Sequence, residues 1–311
     1  MQHLSVLPLE TVALLAPPPK ARILDATLGL GGHAAALLEA AGPQARLLGL
    51  DRDLDSLAEA GRRLARFEGR ASLRHADFRA MAAEAAKDGP GGFDTLLMDL
   101  GVSSPQLDLA ERGFSFMQDG PLDMRMDRSQ GSTAAEWIDA ADEAELTRAL
   151  FGYGEEREAR RIARAILKGR PFASTLQLAQ AIEKAAPRRG ERIHPATRTF
   201  QALRIAVNGE LSALSEALPQ ALALLKPGGR MAVISFHSLE DRMVKQFMAR
   251  EATGCICPPS LPACRCGHRA SLKLVTRKPA TAGDAELAAN PRSRSAKLRV
   301  AEKLPEPQEV S

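Results

Sequence analysis

A glycine-rich turn and a series of acids carry the first sign of chemistry in the chain. Asp25-Ala26-Thr27-Leu28-Gly29-Leu30-Gly31-Gly32-His33 follows a short apolar run. Glycines at such a turn let the backbone approach a ligand closely, and the next helix opens with free N–H groups. The spacing is G-x-G-G, not the G-x-G-x-x-G that wraps a pyrophosphate. That points to a nucleoside cofactor without a diphosphate and puts S-adenosylmethionine ahead of NAD. Asp51 lies 20 residues after Gly31, at the end of the next apolar run. A carboxylate there can accept both hydroxyls of a ribose. Asp77-Phe78 ends the third run, where a polar group and an aromatic suit an adenine, and Asp99 ends the fourth. Singly, each of these also reads as an ordinary turn or a helix cap. Together they ring the crevice in which open α/β sheets bind ligands.

These residues need a scaffold, and the flanking pattern supplies one. Apolar runs at 22–27, 45–51, 72–77 and 93–99 alternate with helical spacings at 33–41, 54–67 and 78–86. That βαβαβαβ order predicts a parallel sheet with right-handed crossovers. From Ser104 to about Pro195 no strand pattern appears. A Gly-, Asp- and Met-rich loop over 112–131 precedes helical stretches at 134–151, 157–168 and 175–184. A long helix is expected from Ala196, with Phe200, Leu203, Val207, Leu211 and Leu214 as its buried stripe, ending before Lys226-Pro227-Gly228-Gly229. Strands are expected at 230–235, 272–277 and 297–301, and a helix at 239–250. The expected organisation is a discontinuous sheet domain, 1–103 and 206–311, split by a helical domain at 104–205.

More specific blocks follow Asp99. They are Asp99-Leu100-Gly101-Val102-Ser103-Ser104-Pro105-Gln106-Leu107-Asp108, Arg112–Phe116, Asp119–Asp127, Tyr153–Arg157, His194–Asn208, Pro227–Arg242 and Asn290–Lys303. With the glycine turn they run in unbroken order over nearly the whole chain, which closely resembles the MraW family of small-subunit ribosomal RNA methyltransferases. The resemblance implies a Rossmann-like S-adenosylmethionine-dependent methyltransferase sheet with an inserted helical domain. It implies methylation of the N4 amine of a cytidine, cytidine 1402 of 16S rRNA, in the small ribosomal subunit. It also implies a cofactor set: Gly31, Gly32 and His33 at the methionine moiety, Asp51 at the ribose, Phe78 against the adenine, with Asp99 and Gln106 completing it.

Methyl transfer to an exocyclic amine chiefly requires alignment of donor and acceptor and exclusion of water. The cytosine N4 lone pair is delocalised into its ring, so an acceptor for an amino hydrogen assists. Asp99 is the candidate acceptor by position, in competition with its cofactor role. Ser104, with the backbone carbonyls around Pro105, is the second candidate for orienting N4. The base must leave its stack to react, and Phe114, Phe116, Phe236 and His237 are candidate contacts; core packing is the alternative for the rings.

Charge is distributed in blocks. Residues 99–145 carry eleven acids against three bases, 156–204 twelve bases against four acids, and 265–303 ten bases against three acids. Basic blocks in a chain of net charge +4 suggest a localised polyanion surface. Arg157, Arg160, Arg161, Arg164 and Lys168, then Arg188, Arg189, Arg192, His194, Arg198 and Arg204, are candidates for RNA phosphates, with Thr197, Gln201 and Asn208 on the same polar face. Arg292, Arg294, Lys297 and Arg299 form a second cluster. The alternative is internal pairing with neighbouring glutamates, above all in Tyr153–Arg157.

Cys255-x-Cys257 and Cys264-x-Cys266 lie within twelve residues, with His268 nearby. They read either as a structural zinc site of unusual C-x-C spacing or as reduced loop thiols. No catalytic metal is assigned, and the expected chemistry needs no nucleophilic cysteine.

Composition bounds the rest. The 311 residues are 45% hydrophobic and 26% charged, values of a globular protein with a real core. Ten Phe, one Trp and one Tyr leave too few rings for an extended base-stacking track. No apolar run is long enough to span a membrane and the N-terminus does not read as a signal peptide, so a cytoplasmic location is expected; a homodimer is a further expectation. A nicotinamide-dependent dehydrogenase and a non-catalytic RNA-binding assembly factor are the rival readings. The glycine spacing counts against the first, and the intact strand-end motifs count against the second.

Overall fold

The computed structural model describes residues 4–67, 69–187, 194–258, 261 and 263–305. The chain divides into two compact units, Met1–Gly101 with Ala213–Ser311, and Val102–Ser212. The insertion therefore extends beyond the expected 104–205 at both ends.

The first unit opens with α1 (Pro8–Leu15), then alternates β1 (Arg22–Asp25), α2 (Gly32–Ala41), β2 (Arg46–Asp51), α3 (Leu54–Leu64), β3 (Ala71–His75), α4 (Met81–Asp88) and β4 (Phe93–Asp99). The insertion holds α5 (Ser104–Asp108), α6 (Ala134–Ala140), α7 (Glu143–Gly154), α8 (Ala159–Gly169), α9 (Thr175–Ala185) and α10 (Ala196–Asn208). Then come α11 (Glu210–Leu224), β5 (Leu225–Ser235), α12 (Ser238–Glu251), β6 (Leu272–Leu274), α13 (Asp284–Ala289) and β7 (Lys297–Lys303).

The seven strands form one sheet in the order β3-β2-β1-β4-β5-β7-β6. β1 to β5 pair in parallel, while β7 runs antiparallel to β5 and to β6. Each apolar run is divided between the two faces by the period-2 alternation of a strand. Leu24, Leu48, Leu96 and Met98 join one apolar cluster, and Ile23, Leu47, Leu97 and Ile234 join the other. Burial on both faces is why these strands read as continuous apolar runs. The reversal of order between β1 and β4 makes the crevice above their carboxyl ends the natural ligand site.

The structure corrects several expectations. The long helix from Ala196 is two helices, because Gly209 takes a left-handed φ of 58° and ends α10. Its stripe divides accordingly: Phe200 and Leu203 are buried in the insertion core, and Leu214 is buried in a sheet-domain cluster. The 134–151 stretch is also two helices, since Asp142 leaves helical geometry and caps α7 by accepting the Glu145 N–H. Lys226–Gly229, expected as a helix stop, lies inside β5, where the pairing with β4 slips between Phe93 and Thr95. The 272–277 strand is shorter than expected, and α1, α5 and α13 were not foreseen.

The insertion has its own core of aliphatic and Phe side chains, including Ile138, Leu146, Ile162, Ile166 and Leu178. Burying each stabilises by about 1.5–3 kcal/mol before entropy is counted. Its loop is organised by Arg112, only 2% exposed, whose guanidinium donates to the carbonyls of Arg125 and Met126. Gly154 lets α7 and α10 approach closely: a Cβ there would stand 2.7 Å from the Arg198 carbonyl oxygen.

Candidate active site

The site is built on the carboxyl ends of β1, β2, β4 and β5. Beyond β1 the chain crosses the top of the sheet, with the Ala26 N–H donating to the Leu97 carbonyl and the Leu28 N–H to that of Leu50. Asp25 Oδ1 accepts the Thr27 N–H at 3.2 Å, and Thr27 Oγ1 accepts the Asp99 N–H at 2.5 Å. The turn thus ties the end of β1 to the end of β4. Gly31, at φ 75°, starts α2, and a Cβ on it would press against Ala60 at 3.3 Å. A Cβ on Gly32 would collide with the Ser5 hydroxyl. The glycines therefore serve close backbone packing as well as ligand approach.

Asp51 ends β2 and points its carboxylate into the same turn. Oδ2 accepts the Gly29 N–H at 2.6 Å and Oδ1 the Asp53 N–H at 2.8 Å. Burial raises its pKa against the lowering effect of these two donors. Asp77 caps the short helical turn after β3 and pairs with Arg52 at 3.2 Å. Phe78 is buried in the apolar cluster on one sheet face, 9% exposed.

The acids around β4 define the electrostatics. Asp99 ends β4 with Oδ2 3.6 Å from Nε2 of His33 on α2. Its Oδ1 is shut off from solvent and takes no hydrogen bond among the described residues. About a quarter of the side chain (26%) stays accessible. Burial, with the neighbouring charges of Asp25 and Glu240, pushes the Asp99 carboxyl well above the carboxylate range. Asp25 is pushed up to about 7 by burial, opposed by the Thr27 N–H and assisted by Asp51. Carboxyls gathered under low solvation favour a cationic ligand, which lowers their mutual repulsion. The sulfonium and ammonium of S-adenosylmethionine meet that requirement; the negative pyrophosphate of NAD does not.

Glu240 was not foreseen as part of this cluster. Its Oε2 accepts the N–H groups of Phe236 and His237, and its Oε1 lies 3.1 Å from His237 Nε2. His237 is the N-cap of α12, and its Nδ1 accepts the Glu240 N–H at 3.4 Å. The histidine is thus held by a capping box; the S/T/H-x-x-E spacing of His237 and Glu240 is its sequence signal. Beside it lies a cavity of about 250 Å³ whose lining includes Phe236, His237, Ser238, Arg294 and Lys297. Thr27 was also missed, although the Asp-x-Thr turn is visible in the sequence.

In the insertion, Ser103 caps α5 and its N–H donates to Oε1 of the buried Gln106 at 2.9 Å. Ser104 is the first, half-buried residue of that helix. Exposed His194 accepts the Ala196 N–H and packs its ring 4.6 Å from Phe116, which also meets Phe200 at 4.8 Å. Phe114 is buried in the core. Arg198 is half-buried, and its Nη1 donates to the Glu155 carbonyl at 3.4 Å. Arg188, Arg189 and Arg192 lie outside the described residues.

Several residues of the expected basic surface pair within their own unit, some of them while staying exposed. Arg204 forms a two-pronged pair with Glu210 at 2.8 Å for each contact. Asn208 accepts the Met126 N–H and donates to the Met124 carbonyl, and Gln201 donates to the Tyr153 carbonyl. Arg164 pairs with Glu143, and Arg161 lies 4.0 Å from Glu158. In the sheet domain, Arg299 and Lys297 both reach Asp241. The polar face of α10 therefore staples its own unit, whereas Arg157, Arg160 and Lys168 are exposed.

A doubly wound sheet of this order, with one antiparallel strand beside β5 and a cation-favouring crevice at its switch point, defines a Rossmann-like S-adenosylmethionine-dependent methyltransferase. Residues 1–304 match the model of the MraW methylase family, and the chain belongs to that family. It is 55% identical over 307 residues to ribosomal RNA small subunit methyltransferase H of Geobacter sp. (strain M21), covering 97% of this chain and 98% of that one. It is 52% identical over 308 residues to the protein of the same name from Heliobacterium modesticaldum, covering 97% and 98%. Among solved structures it is similar to an rRNA methylase from Streptococcus thermophilus, with 10% identity, a TM-score of 0.44 and coverage of 98% of this chain and 100% of that one. No helix among the described residues is long and apolar enough to cross a membrane.

Proposed function

We propose that the protein methylates the N4 amine of a cytidine, cytidine 1402, in the 16S rRNA of the small ribosomal subunit, with S-adenosylmethionine as donor. Relatives above half identity over 97% of the chain are named small-subunit rRNA methyltransferases. The observation that carries the chemistry is the half-buried Asp99 carboxyl, whose Oδ1 is shut off from solvent and takes no hydrogen bond among the described residues.

When bound, S-adenosylmethionine supplies an electrophilic methyl carbon on a sulfonium. The Gly31-Gly32-His33 turn would hold its methionine part, Asp51 its ribose and Phe78 its adenine; Asp99 and Gln106 complete the set. On accepting the methyl group, N4 would have to give up a proton to a group of this chain. Asp99, with its raised affinity for protons, suits an acceptor role for an amino hydrogen. Ser104 and the carbonyls beside it would orient the amine.

For the RNA, Arg188, Arg189, His194, Arg198 and His237 are the proposed contacts. The cavity beside His237, with Arg294 and Lys297 in its lining, suits a phosphate or a flipped nucleotide. The test is methyl transfer from labelled donor to small subunits of cells lacking the protein, followed by nuclease digestion and mass mapping. Label on N4 of cytidine 1402 is expected; label on another nucleotide, or none from a preparation that binds the donor, overturns the proposal.

A further inference from the structure

The segment between α12 and β6 gathers four thiols, and among its described residues none joins an apolar core cluster. Cys255, Cys264 and Cys266 are exposed and Cys257 half-buried, and the loop's large apolar residues Ile256 and Leu261 are each 42% exposed. The ends of the segment are pinned, since the Ser271 N–H donates to the Glu251 carbonyl at 2.8 Å.

The four Sγ atoms all lie within 4.8 Å of one another. Cys255 and Cys264 are separated by 3.5 Å, Cys264 and Cys266 by 3.6 Å, and Cys266 and Cys255 by 3.9 Å. Four thiolates about 2.3 Å from a tetrahedral zinc stand about 3.8 Å from each other. A disulfide needs about 2.05 Å, well below every one of these separations. The two C-x-C pairs are arranged reciprocally: the Ile256 N–H donates to Cys266 Sγ at 3.5 Å, and the Arg265 N–H to Cys257 Sγ at 3.3 Å. Each pair's middle residue thus donates to a sulfur of the other pair, which stabilises thiolate charge. His268 is turned away from the role of ligand, its Nε2 lying 3.0 Å from the Arg250 carbonyl at the end of α12.

We infer that Cys255, Cys257, Cys264 and Cys266 form a closed four-thiolate site for a structural zinc ion, which serves as the core of this loop. Soft thiolates in tetrahedral array select zinc or iron over hard cations, and a filled shell of four sulfurs leaves no position for catalysis. Binding releases four thiol protons and leaves a zinc tetrathiolate of charge −2, beside Arg265 and Arg269 of the same loop. The site lies outside the methyl-transfer machinery and its test is independent of it.

The full chain, expressed with zinc and purified under reductant without chelator, should carry about one zinc per chain by elemental mass spectrometry. Cys255→Ser with Cys266→Ser should reduce zinc content to about a tenth or less, while donor binding confirms that the variant is folded. Cobalt replacement in the unaltered chain should give the thiolate-to-metal absorption of a tetrahedral site. Iron in place of zinc overturns the assignment of the metal. Four freely titrating thiols with no metal, or a mass lower by two hydrogens per disulfide, overturns the site.

Discussion

Nε2 of His33 stands 3.6 Å from Oδ2 of Asp99, so the first helix after the glycine turn reaches across to the end of the fourth strand. Asp99 thus has His33 beside its carboxyl, while the Thr27 hydroxyl accepts its N–H. Replacing its carboxyl should be costly. Asp99→Asn is expected to lower single-turnover methyl transfer by about 10²–10⁴-fold, the usual worth of a positioned proton acceptor. Unchanged turnover at saturating donor would exclude the acceptor role, and a weakened donor Kd alone would assign Asp99 to binding.

Donor binding should depend on pH with a known sign. Asp25 is raised to about 7, so the unliganded crevice holds protons that a cationic donor must displace. Affinity should therefore rise as pH increases through about 7, with proton release visible in calorimetry across buffers of different ionisation enthalpy. For the unliganded protein the sign reverses. A carboxyl raised on folding contributes stability that is present below its unfolded pKa and lost as pH rises through the folded value. Asp25→Asn should flatten both dependences, and persistence of either in the variant would assign it to another group.

Thr27→Val keeps shape but leaves the Asp99 N–H without its acceptor. An orphaned buried donor costs about 1–3 kcal/mol, so denaturant unfolding should shift by that amount and donor affinity should fall. An unchanged midpoint would show that the turn and β4 are not coupled through this bond.

Arg204 and Arg160 should behave differently although both belong to the basic block. Arg204→Gln leaves Glu210, 7% exposed, without its fork and should destabilise the insertion, with little change in the salt slope of RNA binding. Arg157→Glu with Arg160→Glu should leave stability within about 0.5 kcal/mol. It should reduce the salt slope by about 0.7–0.9 for each RNA phosphate that is no longer neutralised. The opposite pattern would assign the RNA surface to the polar face of α10.

The parallel strands and the glycine turn are legible in the sequence because their causes are local. A strand buried on both faces is a short apolar run, and a left-handed turn at Gly31 calls for glycine. Asp51 and Asp99 could be placed at strand ends for the same reason. The helix break at Gly209 was also written locally, in Asn208-Gly209, but a continuous 3-4 apolar spacing concealed it; packing divides that stripe between two cores.

What tertiary structure alone decided is which polar groups meet. Arg204 and Asn208 look like an RNA-binding face by spacing, yet their partners Glu210, Met124 and Met126 turn them into staples. Glu240 joins Asp25 and Asp99 only because β5 lies beside β4. The four cysteines are ambiguous as a spacing and become a compact thiol cluster only when the loop is folded. Hydrogen bonding and charge act over a few ångströms of space rather than a few residues of chain, so the sequence determines the elements and the tertiary fold determines their chemistry.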